Sequence, residues 1–171
     1  MIPTDLTPAQ QALIDNLKEH TEAELVHFDV EKTLATMAEN PFIFMAPIIS
    51  GGMGPEGVRK YYGVVLTHLP DDFDRDLLTI TIGDDRIVVE EILSFTHSIQ
   101  MDWMLPGIAP TGKHVEVPMV IICTFKNGKL ESERAYWDYA SMLAQIGVLD
   151  PSGLPITTTE NVETLRKLAK R

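Results

Sequence analysis

Near residue 70 the hydrophobic pattern of this chain changes period, and that change most limits what it can fold into. Before it, Leu13, Leu17, Thr21, Leu25 and Phe28, then Val58, Tyr61, Tyr62, Val65 and Leu66, follow at the three- and four-residue spacing of helices. After it, Leu77 to Ile82, Arg86 to Met101, Val115 to Phe125 and Leu130 to Trp137 alternate with the two-residue period of strands. Asn127-Gly128, between the last two runs, is a strong hairpin signal. Helices segregated from hairpin-linked strands predict an α+β fold: a cone-shaped, curved antiparallel sheet wrapped around helices.

Local chemistry supplies the boundaries. Thr7, Pro8 and Gln10 form a capping box with proline at the first helical position. Asp29 caps a shorter second helix through Leu34, Met37 and Ala38, which Asn40-Pro41 stops. Phe42 to Pro47 reads as a short strand, and Ser50-Gly51-Gly52-Met53-Gly54 as a flexible loop. Pro55 starts a third helix, closed by Leu69-Pro70-Asp71-Asp72, and Gly83-Asp84-Asp85 is a turn. Asp138 caps a helix from Tyr139 to Ile146 that Gly147 ends. A link from Asp150 to Pro155 leads to a small amphipathic helix through Val162, Leu165 and Leu168.

Composition removes several function classes. The net charge is −11, and basic residues cluster only at Arg166 to Arg171, which argues against nucleic acid as a partner. A single cysteine, Cys123, forbids an intrachain disulfide, and its apolar strand with no basic neighbour reads as structural. Met1 to Asp5 lack the basic and apolar regions of a leader, and no apolar run is long enough for a bilayer, so no membrane contact and a cytoplasmic location are expected. His20, His27, His68, His97 and His114 lack metal-ligand spacing, and Gly51-Gly52-Met53-Gly54 lacks the lysine of a phosphate-binding loop. Neither metal nor cofactor is expected. Eight methionines suit an adaptable apolar interior, or plain core filling.

The hairpin Asn127-Gly128-Lys129-Leu130, followed by Glu133, Tyr136-Trp137-Asp138 and Gln145-Ile146-Gly147, resembles the nuclear-transport-factor-2-like superfamily, and within it SnoaL-like proteins, named for polyketide cyclases. Asp102-Trp103-Met104-Leu105-Pro106-Gly107 with Pro110-Thr111-Gly112-Lys113 resembles a subgroup of largely unassigned function. The resemblance implies one SnoaL-like domain over residues 1–149 and a C-terminal extension with a short helix over 150–171. The fold hosts cyclases, isomerases, dehydratases, epoxide hydrolases and non-catalytic binders, so it implies no single reaction.

Candidate site residues come from both sources. On the long strand Ile87, Val89, Glu91, Leu93, Phe95, His97 and Ile99 share the more apolar face, which puts His97 among hydrophobes as an acid/base or as a bonded core histidine. Asp102 either orients His97 from the rim or forms a turn. Trp103 and Met104 read as a lid or as ordinary loop packing, and Tyr61 and Trp137 as shaping elements. Glu133 reads as a buried carboxyl with a raised pKa that converges on His97, or as a surface glutamate beside Arg134. A two-residue turn pairs Lys126 with Lys129, Thr124 with Glu131, Ile122 with Glu133, Val120 with Ala135 and Pro118 with Trp137. Both faces of the last strand are then mixed, so the face lining the cavity stays open, and Pro118 marks an edge or a bulge. By resemblance Asp138 matches the acid/base aspartate of SnoaL-like cyclases; by position it is a helix cap. Those cyclases also carry a histidine on the preceding strand, and this chain has none between Val115 and Phe125.

The expected function is a cofactor-free acid/base enzyme acting on a hydrophobic small molecule, of isomerase, cyclase, dehydratase or hydrolase type. His97, Asp102, Glu133 and Asp138 are its catalytic candidates, with Tyr61, Trp103, Met104 and Trp137 contacting substrate. The alternatives are a non-enzymatic small-molecule-binding protein using the same cavity, and a dimeric scaffold with a vestigial cavity. The uncovered apolar strand faces predict a homodimer.

Overall fold

The computed structural model describes residues 5–170; Met1 to Thr4, read above for a leader, and Arg171 lie outside them. Helix α1 (Pro8–Leu25) begins on the expected box, with the Thr7 side chain accepting from the Gln10 N–H and Gln10 reaching back. Its inner face buries Leu13, Ile14, His20 and Ala23. Asp29 caps α2 (Val30–Ala35), accepting from the backbone of Glu31 and Lys32.

The helix expected to run to Ala38 instead stops at Ala35, and strand β1 spans Met37–Met45. Its pairing with the last strand shifts register between Met37 and Phe42, where Pro41 has no N–H to give to a ladder. Proline holds Asn40 extended, and the chain passes it as a bulged strand. The glycine run expected as a flexible loop is strand β2 (Ser50–Met53), antiparallel to β1. Its glycines serve close approach: a Cβ on Gly51, at φ 131°, would meet the Ile43 carbonyl oxygen at 2.0 Å. One on Gly52 would meet the Gly57 oxygen at 2.3 Å.

Helix α3 (Gly54–Val65) buries Val58, Tyr61, Tyr62 and Val65, as its spacing predicts. Strands β3 (Asp74–Ile82), β4 (Arg86–Thr96), β5 (His114–Lys126) and β6 (Lys129–Trp137) follow. The order across the six-stranded, unclosed sheet is β2-β1-β6-β5-β4-β3. β3 starts three residues before the expected Leu77, and β4 leaves the ladder at Thr96 rather than Met101. Asn127 and Gly128 both take positive φ, as a tight hairpin turn requires.

The hairpin register departs from expectation in one place. Lys126 pairs with Lys129 and Phe125 with Leu130, but then a bulge at Glu131 pairs Thr124 with Ser132, Cys123 with Glu133, Ile121 with Ala135 and Met119 with Trp137. The extra residue turns β6 by one position. Glu133, Ala135 and Trp137 therefore share the inner face with Met119, Ile121, Cys123 and Phe125. On β4, residues Ile87, Val89, Glu91, Leu93 and Phe95 are buried on that face, the set the alternation selects. Helix α4 (Tyr139–Gln145) follows the Asp138 cap. Helix α5 (Glu160–Leu168) lies across the outer face, with Val162 against Leu78 and Ile92, and Arg166 reaching Asp76 and Glu116.

Glycine-to-alanine changes are expected to split by position. Gly51→Ala should cost about 2 kcal/mol or more, from strain and a backbone clash. Gly63→Ala, inside α3 with nothing within 4 Å of its Cβ, should add up to about 1 kcal/mol. Urea unfolding of the two variants measures both.

Candidate active site

Between the inner sheet face and α1 lies a cavity of about 1020 Å³. Ile14, Leu17 and Leu25 of α1, Leu66, Leu69 and Phe73 beyond α3, and Val89 and Ile121 of the sheet give it apolar walls. Val26 and Phe28, both also exposed to solvent, mark its mouth. A cleft of about 60 Å³ shares the Arg75 and Glu133 walls and adds Glu24, Tyr61, Trp103 and Met104. Apolar walls with a few convergent polar groups are the usual form of a small-molecule site.

Glu133 is the centre of those polar groups. The Tyr62 hydroxyl donates to its Oε2 at 2.9 Å. His20 Nε2 lies 3.0 Å from the same hydroxyl and 3.8 Å from Oε2. Among the described residues Glu133 Oε1 has only the Cys123 thiol, at 3.9 Å. His20 has no exposed surface, and its Nδ1 meets Thr36 Oγ1 at 2.7 Å. Further along the sheet Arg75 Nε donates to Glu91 Oε1 at 2.8 Å, and Glu91 is itself buried. Among the described residues the remaining guanidinium nitrogens of Arg75 donate to no partner.

Burial and neighbouring charge divide these groups electrostatically. Burial pushes the Glu133 carboxyl up, but His20, Arg75 and the Tyr62 hydroxyl together bring it below its ordinary value. The raised pKa expected for it is thus reversed by partners the sequence had not connected to it. Burial pulls the His20 imidazole down, and Glu133, with help from Glu24 and the Thr33 backbone, lifts it above its ordinary 6.5. Glu24 has no such rescue: burial first, then the charge of Glu133, pushes it up to about 7. Burial raises the Cys123 thiol well above its usual range, which leaves it protonated and inert.

The other candidate residues lie elsewhere. His97 is buried, but five sheet rows from Glu133: Glu133 pairs through Cys123 with Ile87, ten residues back along β4. Its backbone clamps Gly112 and Lys113, its Nδ1 is 3.3 Å from Thr111 Oγ1, and its Nε2 is buried without a partner. Asp102 is exposed and accepts from Gln100 and Gly107, so it closes a turn and does not bond His97. Asp138 caps α4 through Ser141 and takes Asn161 on its other oxygen. Tyr61, Trp103 and Met104 line the cleft, Trp103 anchored by its indole N–H on the His68 carbonyl. Trp137 packs in the core against Tyr139. Among the described residues no group of three or more His, Cys, Asp or Glu is placed to hold a metal ion, and no helix is long and apolar enough to cross a membrane.

Five groups of this site were not among the candidates, and four of them left a trace. His20 and Glu24 continue the Leu13, Leu17 face of α1 at helical spacing. Tyr62 stood on the inner face of α3, and Glu91 on the apolar face of β4. Arg75 fell before the expected start of β3 and so had no face.

Comparison with known proteins fits this architecture. The model of the SnoaL-like polyketide cyclase family matches residues 27–146. A candidate SnoaL-like polyketide cyclase from Jannaschia sp. CCS1 superposes with a TM-score of 0.71 at 16% identity, covering 86% of this chain and 100% of that one. An NTF2-like protein from Burkholderia xenovorans LB400 gives 0.63 at 15% identity, over 81% and 98%. A hypothetical protein of ketosteroid isomerase-like fold from Catenulispora acidiphila DSM 44928, in complex with trimethylamine, gives 0.60 at 15%, over 88% and 100%. At these identities the structures establish the fold alone. No curated protein matches the chain.

The pKa directions fix how stability depends on pH. Glu133, lowered on folding, stabilises fully above its unfolded value of 4.5, and this is lost as pH falls through its folded value. His20 and Glu24, both raised, favour the fold at low pH, and their contributions fade as pH rises, that of Glu24 through about 7. Stability should therefore peak in mild acid, decline between about pH 4.5 and 7 as Glu24 loses its proton, and decline further above 6.5 through His20. Glu24→Gln should flatten the decline between about pH 4.5 and 7 and leave the His20 decline above it, in urea unfolding repeated from pH 4 to 9.

Proposed function

The chain belongs to the SnoaL-like polyketide cyclase family, and from that premise we propose that it is a cofactor-free acid/base enzyme acting on a hydrophobic small molecule. The reaction class is proton abstraction and return, as in isomerisation, cyclisation, dehydration or hydrolysis. One observation carries the reading: a carboxylate, Glu133, stands in an apolar cavity with one oxygen held by Tyr62 and His20 and the other free of any bond shorter than 3.9 Å. The free oxygen is the base. Tyr62, His20 and Arg75 hold the carboxyl below its ordinary value, so it is ionised at neutral pH and ready to accept a proton.

Arg75, on β3 of the same sheet, supports the same reading. Glu91 fixes its Nε and leaves the rest of a permanent cation facing the cavity. Negative charge that develops on a substrate oxygen as its neighbouring carbon loses a proton is stabilised there, in a site of low dielectric. Glu24, pushed up to about 7, is present as acid and base in similar amounts near neutrality; its acid form gives a proton to the product, and the proton taken by Glu133 then passes to the emptied Glu24 to reset the pair. Tyr61, Trp103 and Met104 shape the cleft beside these groups. Asp102 and Asp138 have bonds that account for their positions, His97 lies far along the sheet from Glu133, and none of the three takes part in this scheme. The mouth formed by Val26 and Phe28 suits an apolar ligand.

Mass spectrometry of ligand carried through native purification would supply the substrate class. On that substrate, Glu133→Gln should lower kcat about 10²- to 10⁴-fold with KM changed little. A change in affinity alone, with no turnover in the parent protein, would assign the cavity to a carrier. Val120 and Ile122 of β5 and the exposed Tyr136 of β6 also leave part of the outer sheet face uncovered by α5. We assign that face to a second copy of the chain, and light scattering at micromolar concentration should return twice the chain mass.

A further inference from the structure

The hydrogen bonds around His20 leave little freedom in where their protons lie. Thr36 Oγ1 is 2.6 Å from the Thr33 carbonyl, which has no proton to give, so the single hydroxyl proton of Thr36 points at that carbonyl. The 2.7 Å bond between the hydroxyl and His20 Nδ1 must then be donated by the ring. Nδ1 carries a proton in every charge state of the site. That leaves Nε2, the Tyr62 hydroxyl and Glu133 Oε2 in line, with steps of 3.0 and 2.9 Å. Tyr62 has one proton to share between two neighbours. When it donates to Glu133, Nε2 must donate to Tyr62, and the pair is imidazolium and carboxylate. When it donates to Nε2, Glu133 must hold a proton and donate to Tyr62, and the pair is neutral.

Both arrangements contain the same number of protons. They interconvert when the Nε2 proton moves to the tyrosine oxygen as the tyrosine proton moves to Glu133 Oε2; no bond between heavy atoms changes and nothing enters from solvent. We propose that Thr36, His20, Tyr62 and Glu133 form a directional proton relay, in which Thr36 sets the polarity and His20 stores the proton that turns Glu133 from a base into an acid. This rests on Glu133 being the working carboxylate. His20 is a positioning residue in it: buried in α1, it acts on substrate only through Tyr62 and Glu133.

The groups facing the relay favour the charged arrangement at rest. From α1 comes Glu24, from α3 Tyr61, from β3 Arg75, from β4 Glu91 and from β5 Cys123. Glu24 stabilises the His20 cation and Arg75 stabilises the Glu133 anion. Burial opposes both charges, so the neutral arrangement stays within reach, as a relay requires. The two oxygens of Glu133 then divide the work: Oε1 meets the substrate, and Oε2 exchanges protons with the store.

Nitrogen NMR of the histidine-labelled parent protein tests the relay without any substrate. His20 should show protons on both ring nitrogens at neutral pH, and on raising the pH should keep the one on Nδ1. A neutral ring with its proton on Nε2 and a bare Nδ1, at any pH, would overturn the polarity. Glu133→Gln should shift the His20 titration downward, and Tyr62→Phe should shift it part of the way; circular dichroism checks each fold. A titration unmoved by both, in folded variants, would reduce the contacts to packing and sink the relay. If NMR meets these expectations while no substrate is ever turned over, the relay stands and the enzymatic reading fails.

Discussion

A carboxylate buried in an apolar hollow must find positive charge, and the pairing of Glu133 with His20 through Tyr62 is where this fold supplies it. Taking both ions out of water costs several kcal/mol each, and their attraction repays this only if the remaining polar atoms are bonded. Here all but one are: Tyr62 bridges, Thr36 takes the far side of the ring, Arg75 adds its charge, and Glu133 Oε1 alone is left to the cavity. A polar cluster of this kind contributes little net stability compared with an apolar filling of the same volume. Its persistence in a core otherwise built of Val, Ile, Leu and Met favours a role in chemistry.

Two local devices bring the partners together. The bulge at Glu131 gives β6 an extra residue, and only with that residue does Glu133 face inward beside Cys123. Without it the carboxylate would point to the outer face, with Ser132 in its place. The second device is the close approach of β2 to both β1 and α3, possible because Gly51 and Gly52 have no side chains. It docks α3 against the sheet edge, and α3 brings Tyr62 to the middle of the chain of bonds. Neither device is chemical, yet the geometry of the acid/base groups follows from both.

The fold was largely legible in the sequence because it is written in repeated signals. The helical and alternating periods, the capping box at Thr7 and the Asn127-Gly128 turn each specify an element on their own. The errors fall where one residue has two meanings. Pro41 reads as a helix stop and sits at a strand bulge; glycines loosen a loop and also let backbones touch. The candidate site was legible only in part, since Glu133 was among the residues named and its partners were not. Histidine, tyrosine and arginine from α1, α3 and β3 lie far apart in the chain, and only the bulge and the docking of the helices decide that they meet. His97 and Asp102, close in sequence, were easier to pair on paper than in space.

The charge of the cavity follows from the same pairs. Arg75 balances Glu91, and His20 balances Glu133. Glu24 is left over, and burial holds it near the point where its charge is optional. An apolar ligand that seals the mouth removes more water and strengthens every one of these interactions. It raises the cost of ionising Glu24 further and so favours its acid form. Closure by the ligand would thus set this second proton donor in place only when a substrate is there to receive the proton, while Glu133, joined to its relay, takes the first proton as base.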